Sequence, residues 1–123
     1  MSLASCLMAG ALTLALPPDG TFRLHWTHSV EKTEWREDWR RVQGGLRLER
    51  AAVKGSGAGM EPGPDARLID GWLIWTPQAA TVSSLAIAAS GMTASGWTLC
   101  AGETCQVIGE TAGGAVILRP CEP

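Results

Sequence analysis

The sequence has no tyrosine, a single phenylalanine, and no run of about eighteen or more apolar residues that would mark a membrane-spanning helix. It also lacks a basic cluster along the chain. Its ten lysines and arginines are scattered or interleaved with twelve acidic residues, and the net charge is −2. This balance gives no indication of nucleic-acid binding. No stretch keeps a helical apolar period between two caps, so we expect little helix.

The residues that are present are sufficient for a hydrophobic core. Of the 123 residues, 46% are apolar, and six are tryptophans. We therefore expect one β-rich domain over residues 1–123. The first sixteen residues, MSLASCLMAGALTLAL, look like the apolar part of a signal peptide but have no basic start. We interpret them as a buried first strand that ends at the turn of residues 17–20, with a signal remnant as the alternative. An export signal would then lie upstream of this chain or have been removed from it.

Short apolar or alternating runs recur along the chain, each followed by glycine, proline or aspartate. They predict strands at Cys6–Leu16, Phe22–His28, Trp35–Val42, Leu46–Val53, Gly71–Thr76, Ser84–Ala88, Thr98–Cys100, Gln106–Ile108 and Val116–Arg119. Strands of this length and spacing are typical of an all-β fold, an antiparallel β-sandwich or small barrel. The segment Gly55–Ala66 is the one extended loop.

The four cysteines can be arranged as two disulfides. Cys100 and Cys105 are separated by AGET, which suits a hairpin, so they could face each other across two strands. Cys6 would then pair with Cys121, and such a long-range bridge would contribute about 4–5 kcal/mol. The alternative is four reduced thiols in a cytosolic protein. The spacing does not match a zinc site, and we expect no metal and no other cofactor.

The segment HWTHSVEKTEWRE, residues 25–37, contains both histidines and two of the tryptophans. The alternation of residues 22–30, FRLHWTHSV, predicts a strand with one face formed by Phe22, Leu24, Trp26, His28 and Val30. His25 then points to the other side together with Thr27. The two histidines are therefore poor joint metal ligands, despite their H-x-x-H spacing. On the next strand, Trp35, Glu37 and Trp39 share a face.

A four-residue loop at residues 31–34 would pair His28 with Glu37 and Trp26 with Trp39. The polar face would pair Thr27 with Asp38. One face of the hairpin is then apolar and rich in tryptophan, with a single His–Glu pair. In the functional interpretation, this pair holds a polar ligand or exchanges a proton with it. In the structural interpretation, the pair only orients the hairpin.

Several stretches together resemble a known family. WTHSVEKTEWREDWR, GSGAGMEP, DGWLIWTP, LCAGETC and LRPC are similar to bacterial members of the domain of unknown function 1850 family, from about Cys6 to Cys121. That family is generally encoded beside tripartite ATP-independent periplasmic (TRAP) transporters, which implies an extracytoplasmic accessory role and suits paired cysteines. The family name carries no established activity. By match to its motifs, the site positions are Thr27, His28, Ser29, Glu37, Gly57, Ala58 and Gly59.

The glycine stretch GSGAGM permits backbone conformations that could form an anion-holding nest. It is not a nucleotide motif, and the alternative is a tight loop packed on the sheet. We expect an accessory module that holds a small polar ligand or a transporter component, with Trp26 and Trp39 beside the motif positions. The alternatives are a small hydrolase or isomerase that uses His28 and Glu37 as an acid–base pair, and a purely structural interaction domain. No catalytic residue is assigned.

Overall fold

All regular secondary structure is β in the part of the chain that the structure, a computed structural model, describes: residues 6–27, 34–54, 65–78, 80–87, 96–108 and 116–121. The strands are β1 (Cys6–Ala9), β2 (Leu12–Ala15), β3 (Thr21–Thr27), β4 (Glu34–Val42), β5 (Gly45–Lys54), β6 (Arg67–Ile69), β7 (Trp72–Trp75), β8 (Leu85–Ile87), β9 (Trp97–Ala101), β10 (Thr104–Ile108) and β11 (Val116–Pro120). Within these ranges no helix is long and apolar enough to cross a membrane.

The strands form two antiparallel sheets. The small sheet has the order β2-β1-β11-β8, and the large sheet has the order β10-β9-β3-β4-β5-β7-β6. Both are open, so neither closes into a barrel. The predicted all-β class is confirmed, and of its two architectures the structure has the sandwich.

The core lies between the two sheets because both contribute alternating apolar side chains to it. Leu7 and Leu118 of the small sheet, and Leu24 and Leu99 of the large sheet, are fully buried. Each contributes about 1.5–3 kcal/mol by leaving water. The remaining members of the core cluster are Ala9, Leu14, Leu16, Phe22, Trp39, Leu46, Ile87, Ala101 and Ile108.

The beginning of the chain differs from the predicted single strand. A turn at Gly10, where φ is +60°, separates β1 from β2, and the two strands form a hairpin. A left-handed residue of this kind favours glycine, and the Gly10 amide donates to the carbonyl of Ile117 at 3.0 Å. The predicted turn that follows is confirmed, because the Gly20 amide donates to the Pro17 carbonyl at 2.8 Å. Strand β6, the edge of the large sheet, was not predicted.

Both expected disulfide pairings are present. Cys6 and Cys121 have Cα atoms 5.3 Å apart and join β1 to the end of β11. Cys100 and Cys105 are direct cross-strand partners of β9 and β10, with Cα atoms 4.1 Å apart. The first disulfide joins two strands of the small sheet that lie at opposite ends of the sequence, and the second lies within one hairpin.

The predicted register of the β3–β4 hairpin is wrong by four residues. Trp26 pairs with Trp35 instead of Trp39, and Thr27 pairs with Glu34 instead of Asp38. Leu24, not His28, is the Cα partner of Glu37. The error arises because a shift by an even number of residues leaves every side chain on its predicted face, so the alternation cannot detect it.

Candidate functional site

The face of the large sheet that is directed toward the core continues beyond it as a tryptophan-rich surface. In this face, Phe22 is opposite Trp39, and Trp26 is opposite Trp35. Phe22 and Trp39 are buried in the core and stack with ring centroids 6.4 Å apart. Trp26 and Trp35 are only half-buried. The surface therefore becomes more accessible toward the end of the sheet at which β3 and β5 terminate.

Glu37 is the polar residue at the centre of this surface. Its Cα partners are Leu24 on β3 and Ala51 on β5, both buried. One carboxylate oxygen accepts a hydrogen bond from Trp35 Nε1 at 3.0 Å, and the other accepts one from Trp39 Nε1 at 2.9 Å. Residues two apart on a strand lie on the same face, so both indoles can reach the carboxylate between them. A W-x-E-x-W strand thus holds its own acidic residue.

Two further tryptophans from distant parts of the chain complete the surface. The ring centroids of Trp26 and Trp97 are 5.3 Å apart. The rings of Trp75 and Trp35 pack edge to face, with centroids 5.8 Å apart and an interplanar angle of 74°. We call the set of Trp26, Trp35, Trp39, Trp75 and Trp97 the tryptophan wall. Apart from Trp39, its members are half-buried, so the wall presents aromatic surface that solvent or a ligand can reach.

The carboxylate of Glu37 has neutral donors but no cationic partner among the residues that the structure describes. No arginine, lysine or histidine there lies within ion-pair distance of it, whereas Asp38 and Glu49 on the opposite face are both paired. Charge-assisted hydrogen bonds from two indoles stabilise the carboxylate but do not neutralise it. Within the described ranges, the wall therefore holds one half-buried negative charge, that of Glu37.

Of the predicted site residues, the structure brings three together: Trp26, Glu37 and Trp39. Thr27 ends β3 on the opposite face, as the alternation predicts. The others, His28, Ser29, Gly57, Ala58 and Gly59, lie outside the described residues, so the composite site with the glycine loop stays a prediction. The predicted cross-strand pairing of His28 with Glu37 is wrong, because Leu24 is the partner of Glu37. The chain leaves β3 into residues 28–33 and β5 into residues 55–64, which carry these positions.

The sequence interpretation missed three members of the site. Trp35 was assigned to the correct face, but its spacing of two from Glu37 was not recognised as a hydrogen-bonding signal. Trp75 and Trp97 belong to strands far along the chain, and only sheet order brings them to the face that carries Glu37. No sequence signal would have identified those two.

The outer face of the large sheet, directed away from the core, is charged. Arg23 Nε binds Asp38 Oδ1 at 2.6 Å, and Glu49 binds two arginines of β4 and β5. His25 lies on this face, as predicted, with its Nε2 at 3.9 Å from the Cys100 sulfur. No three histidine, cysteine or acidic side chains of the described ranges are grouped closely enough to hold a metal ion.

Comparison with known proteins supports the resemblance seen in the sequence. The model of a domain of unknown function, DUF1850, matches residues 22–108, which span β3 to β10 and include the whole tryptophan wall. Searches among curated proteins and solved structures give no match. Because the family model covers well over half of the chain, the protein belongs to the DUF1850 family.

Proposed function

We propose that this DUF1850 protein is an extracytoplasmic accessory module that binds a small polar ligand and serves a TRAP-type solute transporter. The ligand presents a positively charged group, such as an ammonium, to Glu37. The observation that carries the proposal is the carboxylate held between the indole N–H groups of Trp35 and Trp39 at 3.0 and 2.9 Å.

The chemistry of the wall favours a cation. Tryptophan rings attract cations through the negative potential of their faces, with about 0.5–2 kcal/mol per contact depending on solvation. A carboxylate adds direct attraction, which is stronger at a half-buried site than in bulk water. Trp26 and Trp97 on the β3 side of Glu37, and Trp75 on its β5 side, add aromatic surface to the same face of the sheet. Aromatic faces around one carboxylate are complementary to an ammonium group.

The same geometry favours binding over catalysis. Each oxygen of Glu37 already accepts an indole hydrogen bond, which orients the carboxylate and reduces its freedom to take part in proton transfer. Rigid orientation suits a recognition group. The location outside the cytoplasm is supported by the two disulfides. The association with a TRAP transporter rests on the family resemblance.

A thermal-shift screen tests the proposal on wild-type protein, Glu37→Gln and the matched control Glu34→Gln. Glu34 is three residues away on the same strand, exposed and on the opposite face. The probes are choline, lysine and putrescine, with organic acids and divalent metals for comparison. A ligand at about 100 times its Kd adds about 2.7 kcal/mol, or roughly 10 °C in Tm for a domain of this size.

We expect at least one ammonium compound to stabilise the wild type and Glu34→Gln but not Glu37→Gln. His28→Ala, tested in parallel, reports whether the family motif contributes to the same site. The proposal is contradicted when no ammonium compound shifts the wild-type Tm, or when Glu37→Gln responds as the wild type does. If Glu37→Gln is unfolded and no probe stabilises the wild type or Glu34→Gln, the role of Glu37 is purely structural.

A further inference from the structure

The outer face of the large sheet collects most of the basic residues of the protein. Strand alternation and register place seven of the ten there, although they are scattered along the sequence: Arg23, Arg36, Arg40, Arg47, Arg50, Lys54 and Arg67. Three strand residues of the same face are acidic: Glu34, Asp38 and Glu49. The outer face is therefore net positive in a chain whose net charge is −2.

Arg36 lies at the centre of this face and crosses a neighbouring strand. Its Cα partner on β5 is Ala52, whose small side chain is only 1% exposed. The guanidinium carbon lies 4.4 Å from the ring centroid of Trp72 on β7, and the Lys54 ammonium lies 5.2 Å from the same ring. Two cations thus share one aromatic side chain, which holds them close together.

These cations lack the acidic partners that their neighbours have. Arg23 is paired with Asp38 at 2.6 Å, but Arg36, Arg50 and Lys54 form no ion pair with any described residue. The Arg36 Nε is buried without a hydrogen-bond partner among those residues.

The surroundings of Arg36 disfavour its positive charge. Burial is the largest cause of the lowered pKa of its guanidinium, and the positive charges of Arg23 and Arg50 lower this pKa further. The carboxylates of Asp38 and Glu34 raise it, but by less. An arginine remains charged despite such a shift, so the site keeps a positive charge that its own acidic residues do not balance.

A groove of about 410 Å³ opens beside this cluster. Its lining includes Arg23, His25, Thr27, Glu34, Arg36 and Trp72. The Arg36 Nε is buried, but stacking on an aromatic ring uses the flat face of a guanidinium and leaves its terminal Nη N–H groups available. Those groups match the two oxygens of a carboxylate or phosphate.

We propose that this groove binds an oxyanion, a carboxylate or phosphate group of a small solute, with Arg36 as the main donor. Lys54 is not among the described lining residues, but it lies beside Trp72 and adds a second, more distant positive charge. Trp72 orients the guanidinium of Arg36. Glu34 at the rim of the groove opposes the anion and limits its affinity. The groove lies on the face of the sheet opposite Glu37, although Trp26 of the tryptophan wall also contributes to its lining.

Isothermal titration with inorganic phosphate and malonate, against sodium chloride at matched ionic strength, tests this site. We expect saturable binding of phosphate or malonate to the wild type. Arg36→Gln should weaken it about tenfold, in line with the loss of a charged hydrogen-bond donor. Lys54→Gln, an exposed substitution, should weaken it about threefold. Circular dichroism checks that each variant is folded.

Two further variants make the test specific. Arg119→Gln changes the same charge on the exposed surface of the small sheet and should leave Kd within about twofold of the wild type. Glu34→Gln should strengthen binding about twofold to threefold, because it removes a nearby negative charge.

Equal Kd values in the wild type, Arg36→Gln and Lys54→Gln would overturn the proposal. So would a response to chloride equal to that to phosphate, which would indicate ionic strength alone. Phosphatidylglycerol vesicles distinguish a lipid headgroup from a free anion. Arg36-dependent vesicle binding without any response to free phosphate or malonate would overturn the small-solute site.

Discussion

Replacing Glu37 by glutamine is the most direct perturbation of the tryptophan wall. The side chain keeps its length, but only one of its two terminal atoms can still accept a hydrogen bond. If the amide oxygen faces one indole, the amide NH₂ faces the N–H of the other, and two donors oppose each other. Either Trp35 Nε1 or Trp39 Nε1, which now donate at 3.0 and 2.9 Å, loses its acceptor.

The expected cost follows from these two bonds. A hydrogen bond to a charged group contributes about 1.5–3 kcal/mol, and a neutral one about 0.5–1.5 kcal/mol. The substitution removes one charged bond and converts the other to a neutral one, while it relieves part of the cost of a half-buried charge. We therefore expect a loss of about 2 kcal/mol in the free energy of unfolding, or a Tm lower by roughly 8 °C.

Urea denaturation of the oxidised protein measures this loss. Glu34→Gln, the exposed substitution on the same strand, should stay within about 0.5 kcal/mol of the wild type. Trp39→Phe removes one indole donor, and in a double-mutant cycle it should couple to Glu37→Gln by about 1 kcal/mol. A Glu37→Gln protein as stable as the wild type, with no coupling in the cycle, would refute the two-indole arrangement.

The remaining predictions concern the scaffold. Replacing Cys6 and Cys121 by serine should cost about 4–5 kcal/mol in urea denaturation, against about 2 kcal/mol for the disulfide within the β9–β10 hairpin. The reason is that the two bridges span 115 and 5 residues; equal losses would contradict this. Gly45 has a φ of +145°, and in Gly45→Ala the new Cβ would lie 2.8 Å from the carbonyl carbon of Val82. This substitution should cost about 2–4 kcal/mol by thermal denaturation. Gly44→Ala, whose Cβ meets nothing within 4 Å, should cost about 1 kcal/mol; a similar loss in both would contradict the steric reason.

The alternation of the sequence was sufficient to predict the fold class and the faces of the central strands. A strand has a side-chain period of two, so the separation of Trp26 and Glu37 from His25 and Arg36 follows from the order of residues alone. The cysteine pairing could also be predicted from the sequence. The four-residue spacer between Cys100 and Cys105 suits a hairpin, and Cys6 and Cys121 are then the remaining pair. The first strand was predicted too long, because the turn at Gly10 and Ala11 contains no polar residue that would mark it in the sequence.

The tertiary structure decided which side chains meet. Register in the β3–β4 hairpin depends on loop length, and a shift of four residues preserves every face, so the sequence could not tell that Leu24 is opposite Glu37. The indoles of Trp75 and Trp97 reach the wall only because β7 and β9 join the same sheet.

The basic outer face has the same origin. Its arginines are interleaved with acids along the chain, but alternation on β3 and β4 directs them to one side. On β5, a register shift opposite Asp38 and Trp39 brings Arg47 and Arg50 to that same side. The sequence by itself determined the two faces of β3 and β4. Only the order and register of the strands, which depend on contacts between distant segments, assembled those faces into a tryptophan wall and a basic groove.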